Sequence, residues 1–175
     1  MGKAQIFSLD IVIAAGIFIV ILLSTAALWY YGGEKMRIEE SRNDMELITR
    51  NALAVLIETK GNPSNWTAHD FTTSDIQSLS LADEFLLLNQ TKVSSLSEAN
   101  YSTTKTLLGV LGPDYEFRLD INTWNGTAYA ANYTIGLEPN ASASEIVKVE
   151  RFALLGNTWT KATIRLWKSC EDITC

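Results

Sequence analysis

Cysteine, histidine and clustered basic charge are the scarce features of this sequence. Its 175 residues hold two cysteines, Cys170 and Cys175, and one histidine, His69. That is too few ligands for a structural zinc site, which takes four. Lys and Arg number 14 against 20 Asp and Glu, a formal net charge of -6. The basic residues are scattered, and phosphate neutralisation needs them clustered, so no nucleic-acid partner is expected. There is no glycine-rich phosphate loop and no carboxylate cluster at metal-ligand spacing, so no cofactor or metal is expected. Ser102-Thr103-Thr104-Lys105 fits the S-x-x-K pattern of penicillin-binding enzymes, but no K-T-G or S-D-N follows it. His69-Asp70 beside Ser64 and Ser74 offers only neighbours in sequence, which do not make a triad. No catalytic residue is assigned, and the chain is expected not to be an enzyme.

What the sequence has is one long stretch without charge. Residues 11–31 carry none, and as a helix these 21 residues would extend about 31 Å, the hydrocarbon thickness of a bilayer. Trp29-Tyr30-Tyr31 at its far end reads as an aromatic interface belt. The chain length suits one compact domain beside this segment. Three readings suit the N-terminus: a secretory signal cleaved near Ser24-Thr25-Ala26, an uncut signal anchor, or a leader removed ahead of a retained helix. Asp10 at the head of the run, and the run's length, count against the first.

The third reading comes from a resemblance. Lys3-Ala4-Gln5-Ile6-Phe7-Ser8-Leu9-Asp10 followed by an apolar helix resembles the class III signal sequences of archaeal type IV pilin-like proteins. The resemblance implies cutting by a prepilin peptidase between Ala4 and Gln5, although Ala4 stands where glycine is usual. Cutting between Gln5 and Ile6 would restore the usual spacing to the acidic residue. It also implies that Asp10 pairs with the terminal amine of a neighbouring copy as subunits assemble. The alternative is a carboxylate that snorkels to the cytoplasmic headgroups.

Beyond Gly32-Gly33, residues 34–60 read as an amphipathic helix. Ile38, Met45, Ile48, Ala52, Val55, Leu56 and Thr59 form its stripe, Glu46 and Arg50 an outer pair, and Gly61 with Pro63 its end. Residues 79–112 read as loops with one or two short helices. Tyr115, Phe117, Leu119 and Ile121 alternate with polar residues, Asn125-Gly126 turns the chain, and Tyr129, Ala131, Tyr133, Ile135 and Leu137 continue the alternation. Residues 146–155 and 159–167 form a second hairpin about Gly156-Asn157. The expected fold is α+β: a long helix, apolar then amphipathic, packed against a C-terminal antiparallel meander, which is the pilin order. The expected division is a cytoplasmic leader 1–4, an apolar helix 5–33, an amphipathic helix 34–61, and an extracellular head 62–175.

Six N-glycosylation sequons occur, at Asn65, Asn89, Asn100, Asn125, Asn132 and Asn140, where composition alone would supply about two. All lie in the region expected outside the membrane. Trp66, Trp124, Trp159 and Trp167 fit either core positions or surface platforms. Together these features point to a membrane-anchored precursor that becomes a subunit of a cell-surface filament. The expected partners are copies of itself, prepilin peptidase and the assembly machinery, the N-glycosylation machinery, and lipid before assembly. The alternative is a single-pass membrane protein with a glycosylated binding ectodomain that never polymerises.

For an exported chain, Cys170 and Cys175 are expected to close a small terminal disulfide ring. Thiol titration of the purified native protein should then detect no free thiol. Two reactive thiols would overturn the pairing.

Overall fold

The computed structural model describes residues 3–69, 71, 76–112 and 114–169, with the side chains of residues 3–8, 34, 37 and 38 left aside. Met1, Gly2, Cys170 and Cys175 lie outside the described residues, as do Asp70 and Ser74 of the His69 neighbourhood. The terminal disulfide therefore falls there too. The chain separates into two units, residues 1–41 and 42–175.

One helix, α1 (Lys3–Glu58), runs through the first unit into the second. Within the first unit, Leu9–Gly33 is long and apolar enough to cross a membrane, and none of it is buried against protein. The serine and threonine hydroxyls in this stretch bond back into their own helix. Ser24 Oγ donates to Val20 O at 2.7 Å and Thr25 Oγ1 to Ile21 O at 2.9 Å. Neither of these two donors is left facing hydrocarbon, where an unmet polar group is costly.

In the second unit, α1 buries Met45, Thr49, Ala52, Leu53, Leu56 and Ile57. The face is turned slightly from the expected stripe: Leu53 and Ile57 belong to it, while Thr59 is exposed. Thr49 is tolerated inside because its hydroxyl donates to Met45 O at 2.6 Å. Glu46 and Arg50 form the expected exposed pair.

The helix is followed by a 3-10 turn (Trp66–Ala68), β1 (Ala82–Glu84), β2 (Leu87–Leu88), α2 (Gln90–Glu98), α3 (Tyr101–Leu107), β3 (Tyr115–Trp124), β4 (Tyr129–Gly136), β5 (Ala143–Leu155) and β6 (Thr158–Ser169). These form an α+β layout with one core joining α1, α2 and the inner face of the sheet. Although a bulge opposite Ile121 and Asn122 breaks the alternation of β4 and turns Tyr129 and Ala131 to the face opposite Tyr133 and Ile135, both hairpins occur where they are expected. Their order corrects the expected meander, because the sheet reads β1-β2-β5-β6-β3-β4. The second hairpin pairs with the first through β6 and β3, not through β4 and β5. Burial explains this choice. β6 is buried at six of its twelve positions and exposed at only two, whereas β4 is exposed at five of its eight positions up to Gly136 and belongs at an edge. The sheet is also mixed, because β2 runs parallel to β5. Alternation cannot report the short strands β1 and β2, which lie in the stretch expected to hold loops and helices.

At the end of β4, Gly136 has φ +100° and passes so near β3 that an added Cβ would stand 2.2 Å from Phe117 O. Only glycine fits both the conformation and the gap. This lets Leu137 N–H bond Phe117 O at 3.0 Å before the chain crosses to β5.

The C-terminal end of α1 is closed by the segment that follows it. Leu81 N–H bonds Leu56 O at 2.7 Å and Leu86 N–H bonds Ile57 O at 2.9 Å. The Ser80 hydroxyl donates to Thr59 O. Lys92, only 5% exposed, extends from α2 and donates through Nζ to Lys60 O at 3.2 Å and Ala82 O at 2.8 Å. A cation at this end also opposes the helix dipole. Lys92→Met keeps the apolar stem but leaves two carbonyls without their donor. It should lower stability by about 2–3 kcal/mol, read as a shift in the urea midpoint. Lys148→Met on the exposed surface should stay within about 0.5 kcal/mol. Equal midpoints for the two variants would refute the role given to Lys92.

Candidate functional sites

The residues expected to direct processing and assembly all lie on α1. Ala4, Gln5 and Ile6 fall in its first turns, and Asp10 is exposed at the head of the apolar stretch. Every large apolar side chain described from Leu9 to Tyr31 is exposed as well. This helix surface has no covering element within its own unit.

The six sequon asparagines fall into two groups. Asn65, Asn100, Asn125, Asn132 and Asn140 are exposed, and Asn89 is half-buried. Several use the side-chain oxygen to order their own loop. Asn125 Oδ1 accepts from Thr127 N–H at 3.0 Å and Ala128 N–H at 2.9 Å, and Asn140 Oδ1 accepts from Ser142 N–H at 3.1 Å. Asn100 caps α3 through Thr103 N–H at 3.2 Å. Asn132 Nδ2 donates to Thr123 Oγ1 at 2.5 Å.

Asn89 is the most committed of the six. Its Oδ1 caps α2 through Thr91 N–H at 2.7 Å and Lys92 N–H at 3.2 Å, while Nδ2 donates to Asp83 Oδ2 at 2.6 Å. Lys92 Nζ lies 3.0 Å from the other oxygen of Asp83. The Asn89 bond first, then the Lys92 bond, hold the Asp83 carboxyl below its ordinary range. Sequence reading missed Lys92, whose signal was a lysine in the first turn of a helix capped by Asn89.

Other charged groups serve the fold. The Tyr101 hydroxyl donates to Glu116 and accepts Phe117 N–H at 3.2 Å. Burial, then the bond to Glu116, push that hydroxyl well above the usual tyrosine range. Lys105, the lysine of the S-x-x-K match, lies 3.3 Å from Glu116 and is an ion-pair partner here. Asp120, nearly buried on β3, is met by Arg118 Nε at 2.8 Å, Arg165 Nη2 at 3.4 Å and the Thr134 hydroxyl at 3.1 Å. Among the described residues, no group of three or more His, Cys, Asp or Glu is placed to hold a metal ion.

The structure sorts the tryptophans. Trp66 and Trp167 are buried, and the Trp66 indole N–H donates to Ser80 O at 2.8 Å. Trp124 and Trp159 are exposed on the outer face of the sheet, with Tyr129 and Phe152. Alternation alone does not sort them, because Trp167 shares the parity of Trp159, Lys161 and Arg165 on β6 and is nonetheless buried. No family model, curated protein or solved structure matches the chain.

Because its folded pKa is depressed, Asp83 stabilises the fold fully above its unfolded carboxyl range. That contribution is lost as pH falls through the depressed value. Asn89→Ala removes the cap and the main cause of the depression. It should cost about 1–2 kcal/mol near neutral pH and bring the Asp83 titration, followed by carboxyl NMR, back up toward ordinary values. Stability should then fall less steeply on the acid side. An unchanged Asp83 titration in the variant would contradict this account.

Proposed function

We propose that this chain is a subunit of an archaeal type IV pilus-like surface filament, glycosylated on its outward domain and serving adhesion or surface coating. The observation that carries the reading is the combination along α1. An uncharged stretch long enough to span a bilayer lies wholly uncovered, and the same helix continues into the core of the α+β domain. In the proposed cycle the apolar stretch first resides in lipid and later packs against the same stretch of sister copies. The exchange is feasible because both environments are apolar and the helix satisfies its own Ser24 and Thr25 hydroxyls. The class III signal-like segment before Asp10 supports retention of the helix after a peptidase cut. The five exposed sequons support glycosylation of the head domain. The alternative, an anchor that never polymerises, shares the membrane helix but gives Asp10 no partner.

N-terminal sequencing of protein from its native cells should find Gln5 or Ile6 first. A start near Ala27 would refute retention of the helix, and an intact Met1 would favour the unpolymerised anchor. Asp10→Asn keeps the side-chain shape but removes the charge that a neighbouring amine would meet. The variant should insert in the membrane yet yield at least about tenfold less filament by electron microscopy and sedimentation, the loss of about 1.4 kcal/mol of pairing. Normal filament yield would remove the assembly role from Asp10.

A further inference from the structure

We propose that the outer face of the sheet, at the end where both hairpins turn, binds a neutral oligosaccharide by stacking pyranose rings on an aromatic cluster. The cluster gives a ligand class to the adhesive role proposed above, and rests on that reading for its exposure outside the cell. Its four rings come from four neighbouring strands: Phe152 on β5, Trp159 on β6, Trp124 on β3 and Tyr129 on β4. Trp124 and Tyr129 have centroids 5.1 Å apart. Tyr129 also reaches Phe152 at 6.0 Å, across the two strands between them. Despite these contacts the side chains remain 40%, 36%, 53% and 59% exposed for Trp124, Tyr129, Phe152 and Trp159.

Area and charge select the occupant. At about 150–250 Å² per aromatic side chain, these exposures leave about 400 Å² uncovered. A stable protein contact takes about 800 Å² from each partner. The cluster is therefore too small to hold a second copy by itself, yet ample for a few flat rings. Its cation is already compensated: Lys161 Nζ stands 5.6 Å from the Tyr129 ring centroid and 3.4 Å from Glu150 Oε1. An anionic ligand would have to displace Glu150, whereas a neutral one need not. An acyl chain wants a continuous apolar track, but here the rings alternate with Lys161, Glu150 and Thr163. Rings beside hydrogen-bonding groups suit a sugar, which presents C–H faces and a rim of hydroxyls.

One polar atom on the same sheet face is unmet. Asn122, paired across the strands with Lys161 on one side and Ala131 on the other, has a buried Oδ1 that accepts no hydrogen bond among the described residues. A buried acceptor left so costs about 1–3 kcal/mol.

The test uses the full chain in detergent micelles, titrated separately with cellohexaose, mannohexaose and chitohexaose. The indole N–H signals of Trp124 and Trp159 should shift with at least one of them, while that of buried Trp66 stays in place. Trp124→Ala and Trp159→Ala, both at exposed positions, should each weaken binding about tenfold, while Trp29→Ala on α1 should leave it unchanged. Millimolar additions of all three saccharides that move neither indole would overturn the proposal. So would a self-association, seen by sedimentation, that Trp159→Ala abolishes, because it would assign the face to a second copy. Neither result bears on whether the N-terminal helix builds a filament, which the Asp10 variant reads separately.

Discussion

The head domain depends on how the C-terminal end of α1 is closed. A helix leaves its last carbonyls without partners, and this one ends beside a core, where water cannot serve them all. The chain answers with Leu81, Ser80 and Leu86, and then with a buried cation from the next helix. Each donor fixes a different stretch. Leu81 starts the turn into β1, and Leu86 sits at φ +60°, an uncommon conformation for a non-glycine residue. Leu86 O in turn accepts Leu154 N–H at 2.8 Å. A single short turn therefore ties the helix end to β5. Lys92 ties it to α2, which Asn89 caps, and Asn89 also holds Asp83 against Lys92.

That closure constrains the sheet. Once β2 lies parallel against β5, one side of β5 is occupied and β6 takes the other. β6 offers Ala162, Ile164 and Leu166 to the core, and its free edge goes to β3, the other strand with an apolar inner face. β4 is left at the outer edge, and Gly136 provides the close passage that starts the crossing to β5. The polar groups of the outer face follow from the same pairing. Asp120 is nearly buried and is met by Arg118, Arg165 and Thr134, which reach it from β3, β6 and β4.

The two units place their apolar side chains differently. In residues 42–175 one set of apolar side chains is enclosed by other parts of the same unit, so the unit has its own core. In Leu9–Gly33 the apolar side chains have nothing of their own chain to cover them. A surface of that kind is stable only in lipid or against another apolar surface. The contrast between the units is the physical basis for reading the chain as an anchor joined to a head.

The sequence by itself determined whatever depends on spacing along the chain. The uncharged run marked the helix of the first unit, period-two alternation marked β3 and β4, and Asn125-Gly126 and Gly156-Asn157 marked the two hairpin turns. Tertiary structure decided what depends on residues far apart in sequence. Nothing local distinguishes a meander from the observed order, since that choice turns on which strand edges bury most when paired. Nothing local makes Lys92 a buried ligand of carbonyls 32 and 10 positions away, or brings Tyr129 onto Phe152. Asn89 shows both sides. Its sequon was legible in three letters, but its use as a helix cap and as the partner of Asp83 exists only once α2 is placed against β1.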